Sequence, residues 1–485
     1  MSVNLLEFKP QLLWHHFDVL RRIPRGSGNE TAAGDYVVSV AKNNHLDYSR
    51  DEVGNVVVRV PAIPGHEQAA TVILQGHLDM VCEKNSDVKF DFLKDEIQLR
   101  REGDWFYAQG TTLGADNGIG LAAALAIAED KTAVHGPLEL LFTIDEETGL
   151  TGAARLKSNF ITGRKYLNLD SEEEGVAFIG CSGGADTRFL LPTQFEKPLT
   201  GKVVRIQISG LKGGHSGIDI DKHRGNAIKF MVRLLWQTLD QLNCRIAEIK
   251  GGNKRNAIPR EIYTDVVVPA ENLPELKKNL ETAFANLRFE FKTVETEMKL
   301  TVKELYITPE KVLNKKTQQM LMNFLLALPH GVLAMSADIP DLVQTSVNLA
   351  TIQLVSDQIE ICLSSRSSIK SALETTRHKL QALGKMVNAK IEQPEGYPGW
   401  TPNLDSPILA VVRSIYARVA GKELQVKAIH AGLECGIIGE KFADMDMVSF
   451  GPQIEHPHSP DERVLIPSVE RFWNLLKAVL VELAG

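Results

Sequence analysis

The sequence predicts an α/β protein, a mixed sheet flanked by helices, interrupted by an inserted α+β domain of two lobes. Over residues 1–184, amphipathic stretches at 10–20, 31–44 and 120–129 alternate with short apolar runs at 56–60, 72–74, 138–144 and 166–169, the rhythm of helices layered on a sheet. From 185 to 399 the rhythm changes to longer β-branched alternations at 203–209, 262–268, 298–305, 348–355 and 358–363. Helical segments at 226–239, 273–287, 315–328 and 371–387 separate them. The order strand, helix, strand, strand, helix, strand is a split αβ sandwich, and it recurs imperfectly in the second half of this region. The Gly/Pro-rich PEGYPGW at 394–400 then punctuates the chain before a helix at 407–420, a strand at 445–450 and a helix at 468–483. Residues 1–184 and 400–485 are therefore expected to be two parts of one domain. The insertion at 185–399 crosses to it twice, as a hinge would.

Composition narrows the function classes. With 485 residues, 44% hydrophobic and 24% charged, core volume is not limiting and more than one domain is expected. A net charge of −7 without a basic stretch leaves no footprint for nucleic acid or an anionic membrane. The longest apolar stretch, 121–128, is far short of the roughly 20 residues a membrane span needs. The opening MSVNLLEFKPQLLWHHF has no basic-then-apolar secretory pattern, so a cytoplasmic location is expected. Five scattered cysteines without CxxC spacing suggest neither a disulfide framework nor a thiolate metal site. Small substrates remain.

Several apolar runs end in residues that carry chemistry. In TVILQGHLD at 71–79 a strand delivers His77 and Asp79 on one side, because side chains alternate with period two. In open α/β sheets ligands gather beyond the carboxyl ends of strands. His77 suits a metal, with Asp79 orienting its ring, although a structural His/Asp pair has the same sequence. The pattern repeats where 138–144 runs into Asp145-Glu146-Glu147 and 165–169 runs into Asp170. Neighbouring acids repel unless a cation faces them; solvated loop acids are the alternative. In GTTLGADNGIG at 110–120, Asp116 stands near a helix start, where an N-cap needs no metal. Gly118-x-Gly120-x-x-Ala123 mimics a dinucleotide fingerprint, but it follows a polar turn instead of a buried strand. In GPQIEHPHSP at 451–460, prolines stiffen a loop from which His456 or His458 could reach a distant site. His77, Asp116, Glu147, Asp170 and His458 together make a thiolate-free set suited to zinc, manganese or cobalt in a hydrolytic site. Five ligands favour two ions sharing one carboxylate.

The ordered set GHLDMV, GTTLGADNGIG, DEETG, NLDSEEEG, GLKGGHSG, NAIPRE, HAGLECG and GPQIEHPHSP resembles the co-catalytic di-zinc exopeptidases, most closely the bacterial aminoacyl-histidine dipeptidases, over essentially the whole chain. The resemblance implies a zinc-exopeptidase-like fold in which 1–184 and 400–485 form the catalytic di-metal domain and 185–399 a lid and dimerisation domain. It implies that Asp116 bridges two ions, with His77 and Asp170 on one and Glu147 and His458 on the other. Asp79 would orient His77, and Glu146 would be the general base for a metal-bound water. His215 would stabilise the oxyanion, reaching in from the partner of a homodimer. Asn256 and Arg366 would hold the substrate, the arginine at its terminal carboxylate, with a surface arginine as the alternative. Glu434 would meet its amino end, while His223 and His430 pack or cap. Asp145 and the doubled His456/His458 depart from the close relatives' pattern, and the PHSP match selects His458.

The activity so implied is metal-dependent hydrolysis of unblocked dipeptides, preferring Xaa-His substrates including β-alanyl-histidine. An aminoacylase, deacetylase or tripeptidase on the same scaffold is the rival within the class. An inactive peptide-binding scaffold is the rival outside it, although every ligand and base position is filled.

Overall fold

The computed structural model describes residues 4–485, which divide into two compact units. One comprises residues 4–180, 400–428 and 433–485; the other comprises 181–399 with 429–432. The second unit begins four residues before 185 and also takes up 429–432. There the Ser182 N–H donates to the carbonyls of Ile429 and Ala431, both at 3.0 Å.

The first unit is built on an eight-stranded sheet in the order Asp47–Arg50, Val56–Val60, Leu138–Thr143, Val72–His77, Lys165–Asn168, Asp446–Ser449, Val176–Cys181 and Gln425–Ile429. Its centre, from Leu138–Thr143 to Asp446–Ser449, is parallel. Parallel strands are covered on both faces and so read as continuous apolar runs. Every residue of Val72–His77 and Leu138–Thr143 is buried accordingly. In register, His77 faces Thr143 and Gln75 faces Asn168, which brings the carboxyl ends to one edge.

The helix Ala115–Glu129 packs against Val72–His77 and the helix Gln11–Leu20. It is not the amphipathic segment expected at 120–129. Residues from Ala115 to Ile127 are all buried, as for a helix covered on every side. Its glycines serve that packing. A Cβ on Gly120 would strike the Leu169 carbonyl, and one on Gly76 of the facing strand would strike the Asn117 side chain. The fingerprint-like glycines therefore serve close packing, Gly118 against Arg25 and Phe17 and Gly120 against the Leu169 carbonyl.

A four-stranded antiparallel sheet, in the order Ile454–Glu455, Arg463–Leu465, Trp105–Ala108 and Leu99–Glu102, completes this unit. Its strands are too short to leave a periodic signal. Arg463 braces it, bonding the Tyr107 hydroxyl at 2.8 Å and lying over the Trp105 ring at 4.3 Å from the centroid. The tip of the first hairpin, 456–462, carries His458.

The second unit holds a nine-stranded antiparallel sheet with the helices Ala227–Leu235, Leu273–Glu290, Lys315–Ala327 and Lys370–Met386 around one apolar core. Its two halves join edge to edge, where Arg245–Gly251 meets Val343–Val355 through Lys250 opposite Gln353 and Gly251 opposite Ile352. The two expected lobes thus share a single sheet. Among the described residues no helix is long and apolar enough to cross a membrane.

One buried histidine gives the first unit a stability contribution that acid removes. His16 lies between the Tyr36 hydroxyl at 2.7 Å and Glu129 at 3.5 Å. Burial outweighs the attraction of Glu129, and His15 adds to it, holding the imidazole down to about 4. The unfolded chain takes up this proton near pH 6.5 and the folded chain does not, so the stability contribution is complete above about pH 6.5 and lost as pH falls toward 4. The difference in urea midpoint between wild type and His16→Gln is therefore expected to change in the variant's favour as pH falls from 6.5 toward 4.

Candidate metal centre and active site

The parallel strand ends determine which side chains meet. His77 closes its own strand, Asp145 to Glu147 follow Leu138–Thr143, and Asp170 follows Lys165–Asn168. Asp116 enters from the first turn of the buried helix and His458 from the hairpin tip.

His77 Nε2 lies 3.2 Å from Asp116 Oδ1 and 3.2 Å from Asp170 Oδ1. His458 Nε2 lies 3.2 Å from Asp116 Oδ2 and 3.0 Å from Glu147 Oε2. Each oxygen of Asp116 thus faces a different imidazole. His77, Asp116 and Asp170 form one group of converging ligand atoms; Asp116, Glu147 and His458 form another. Glu146 converges with His77 and Glu147 in a third. Asp116 is common to the first two groups.

Asp79 organises the surrounding backbone. Its Oδ1 is 3.3 Å from His77 Nδ1 and accepts the Glu146 N–H at 3.0 Å. Its Oδ2 accepts the Glu147 N–H at 3.1 Å and the Ser27 hydroxyl at 2.8 Å. Burial opposes its charge, but these bonds, His77 first, hold the carboxyl down to about 2. Asp145 has left-handed backbone, φ 52°, and its carboxylate is taken up by the hydroxyls of Thr148 and Thr151.

The electrostatics are those of a site short of positive charge. Burial, against the pull of His77 and with the help of Asp116 and Glu147, raises Asp170 to about 7. Glu146 is pushed well above the carboxylate range by burial and by Asp170, Glu434 and Glu147, with His77 opposing. His458 is lifted to about 11 by its bonds to Asp116 and Glu147. Glu147 Oε1 and Asp170 Oδ1 are buried without a hydrogen-bond donor. The donor set therefore fits divalent cations. Ligand atoms about 2.0–2.2 Å from one ion stand roughly 3–3.5 Å apart, which is the separation between these nitrogens and oxygens.

The expected substrate residues lie apart in the chain. Asn256 and His215 share a ribbon in the second unit: His215 pairs with Ala257, and the Ser216 N–H donates to the Asn256 carbonyl at 2.9 Å. Nδ1 of His215 accepts the N–H groups of Gly217 and Ile218, both at 3.2 Å, so the neutral ring carries its proton on Nε2. Arg366 is a buried residue, not a surface one, donating to the Tyr397 hydroxyl at 2.7 Å. His430 is also buried and bonds the Ser346 hydroxyl at 2.7 Å. Glu434, in the first unit, is only 1% exposed; its Oε2 accepts from Gln75 Nε2 and Thr143 Oγ1, both at 2.6 Å.

Sequence reasoning missed the polar row beneath these ligands. Gln75 accepts from Asn168 at 2.5 Å, and Asn168 accepts from the Ser449 hydroxyl. Gln75 interrupts the buried strand Val72–His77, and Asn168 and Ser449 close theirs as buried polar residues; that placement was the available signal. Glu172 was missed as well; it is held well above the carboxylate range by burial, then by Asp116 and Asp170.

The profile of the peptidase family M20/M25/M40 matches residues 73–482. The chain is 40% identical over 481 residues to the cytosol non-specific dipeptidase of Escherichia coli strain K12, covering 99% of each sequence. The crystal structure of the aminoacylhistidine dipeptidase from Vibrio alginolyticus superposes with a TM-score of 0.89 at 40% identity, over 99% of this chain and 98% of that one. The aminopeptidase PepT from Bacillus cereus, at a TM-score of 0.58 and 15% identity over 99% of this chain and 100% of that one, shares the fold. The agreement of profile, sequence and fold over nearly the full length makes this chain an enzyme of the peptide hydrolase class, a member of the peptidase family M20/M25/M40.

Proposed function

We propose that this enzyme is a metal-dependent dipeptidase acting on unblocked dipeptides, with a preference for Xaa-His substrates including β-alanyl-histidine. The observation that carries the reading is the Asp116 carboxylate, each oxygen of which faces a different imidazole in a cluster with more buried acids than cations. The names of the two relatives at 40% identity support the substrate class.

His77 and Asp170 would hold one divalent ion and Glu147 and His458 the other, sharing Asp116, with zinc first and manganese or cobalt as alternatives. Bound there, the pair supplies Lewis acidity to the attacking water and the scissile carbonyl. Glu146 takes the proton from that water and returns it to the leaving amine. Asp79 keeps base and ligand in register, since one carboxylate oxygen lies 3.3 Å from His77 Nδ1 and accepts the Glu146 N–H. His215, with its proton on Nε2, is a donor for the oxyanion, contributed from a partner's inserted domain in a homodimer. Arg366 clamps the substrate's terminal carboxylate and Asn256 its backbone. Glu434 meets the amino end with Oε1, the oxygen left without a donor by Gln75 and Thr143. The inserted domain, 185–399 by sequence, acts as lid and dimerisation surface to the catalytic domain.

Dialysis against a chelator is expected to abolish peptide hydrolysis, and zinc, manganese or cobalt to restore it; activity indifferent to both steps points to another mechanism. Glu146→Ala should retain both ions by metal analysis while kcat falls roughly 10²–10⁴-fold; near wild-type turnover removes Glu146 as the base. In side-by-side assays, Xaa-His dipeptides including β-alanyl-histidine should be turned over ahead of tripeptides and N-acyl amino acids. Exclusive turnover of acylated substrates would replace the dipeptidase by an aminoacylase or deacetylase, and exclusive turnover of tripeptides by a tripeptidase.

A further inference from the structure

The turn that carries Asp116 has no cap of its own. Gly114, at the N-cap position of the helix Ala115–Glu129, has left-handed backbone and no side chain to accept the exposed N–H groups. The carboxylate of Glu462, a residue only 2% exposed, accepts four backbone N–H groups of this turn. Its Oε2 accepts from Leu113 at 2.6 Å and Gly114 at 2.9 Å. Its Oε1 accepts from Ala115 at 2.8 Å and from Asp116 itself at 3.2 Å.

Two features set this apart from an ordinary cap. First, Glu462 closes the same hairpin tip, 456–462, that presents His458 to Asp116 Oδ2. One short segment therefore touches Asp116 twice, by an imidazole at its side chain and by a carboxylate at its backbone. Second, the far side of the turn is held by Arg25, a buried guanidinium. Nη2 of Arg25 donates to the Gly114 carbonyl at 2.5 Å; Nη1 donates to the carbonyls of Leu78 at 3.0 Å and Asp79 at 2.7 Å. A Cβ on Gly114 would come within 2.8 Å of that guanidinium, so glycine is needed for the approach as well as for its φ of 71°. The segments bearing His77, Asp116 and His458 are thus fastened to one another through Arg25 and Glu462, on main-chain atoms and independently of any ion.

We propose that Glu462 is a positioning residue of the metal centre, setting the distance between Asp116 and His458 by anchoring the hairpin tip to the backbone of the Asp116 turn. The inference rests on the metal-dependent reading above. Hydrogen-bond partners that orient ligands typically change metal affinity by roughly 10- to 100-fold when removed. Glu462→Gln keeps the shape but places an amide NH₂ against two of the four N–H donors, so the turn and the tip no longer fit together.

The test is zinc titration of the metal-free full-length protein by competition with a chromophoric chelator, alongside urea unfolding. Wild type should bind two ions. Glu462→Gln should weaken one of them roughly 10- to 100-fold. It should be the ion weakened by His458→Ala, and the double variant should bind zinc no worse than His458→Ala alone, because the two act as one unit. Glu139→Gln is the control for a merely structural cap: Glu139 is a buried carboxylate that accepts the N–H groups of Thr162 and Gly163 at 2.8 and 2.9 Å, away from the ligands. It should lower the urea midpoint and leave both zinc affinities unchanged. If Glu462→Gln behaves like Glu139→Gln, or if its effect simply adds to that of His458→Ala, the proposal is overturned. Should Glu462→Gln not fold, Glu462→Asp, which keeps the charge with a shorter reach, is titrated against the same expectations. Wild type that takes up no zinc overturns the metal reading and this inference together; two ions held equally tightly by wild type and Glu462→Gln overturn this inference alone.

Discussion

Concentrated negative charge is the constraint around which the first unit is arranged. Asp79, Asp116, Glu146, Glu147, Asp170 and Glu434 gather at one edge of a parallel sheet, where the imidazoles of His77 and His458 face the ligand oxygens and the buried Arg25 guanidinium stands near Asp79 and Asp116. An uncompensated buried charge costs several kcal/mol, so such a cluster persists only if backbone donors, neutralised carboxyls or cations share the load. The structure uses the first means wherever the sequence allows. Asp79 collects the N–H groups of Glu146 and Glu147, and Glu462 collects those of the Asp116 turn. The remaining carboxylates, Asp116, Glu147 and Asp170, point their oxygens at one another's neighbourhood and at imidazole nitrogens, which is where divalent cations belong.

The rest of this unit can be read as support for that edge. A helix buried on all sides carries Asp116, so its approach is set by close glycine contacts. Below the ligands the side chains of Glu434, Gln75, Asn168 and Ser449 bond in sequence across neighbouring strands. A row of hydrogen-bonded buried polar groups of this kind rigidifies the layer it crosses, so the ligands one or two residues further on inherit its precision. The small antiparallel sheet has the same purpose from another direction, bringing a loop from near the end of the chain to residues at 113–116.

The fold class and most long elements were legible in the sequence because hydrophobic periodicity is a local property. The apolar runs at 72–74 and 138–144 become the buried strands Val72–His77 and Leu138–Thr143, and the helix expected at 407–420 is Pro407–Ala420. The helix at 115–129 was misjudged as amphipathic, since an Ala-rich segment leaves its exposure to whatever packs around it. The strands at 454–455 and 463–465 are too short for any period. The candidate ligands were legible for a different reason: His77, Glu147 and Asp170 each stand where an apolar run ends, and parallel pairing of those runs brings their ends together.

By itself the sequence determined which residue types are available and at which strand ends they stand, because alternation and burial are encoded within a few neighbouring residues. Only the tertiary structure decided that His458, more than three hundred residues beyond Asp116, faces its second oxygen, that Arg366 is buried beside Tyr397, and that Glu462 caps a turn it never adjoins in the chain. Those relations depend on register between strands and on which loop reaches which edge, and such long-range distances are set by packing the whole core.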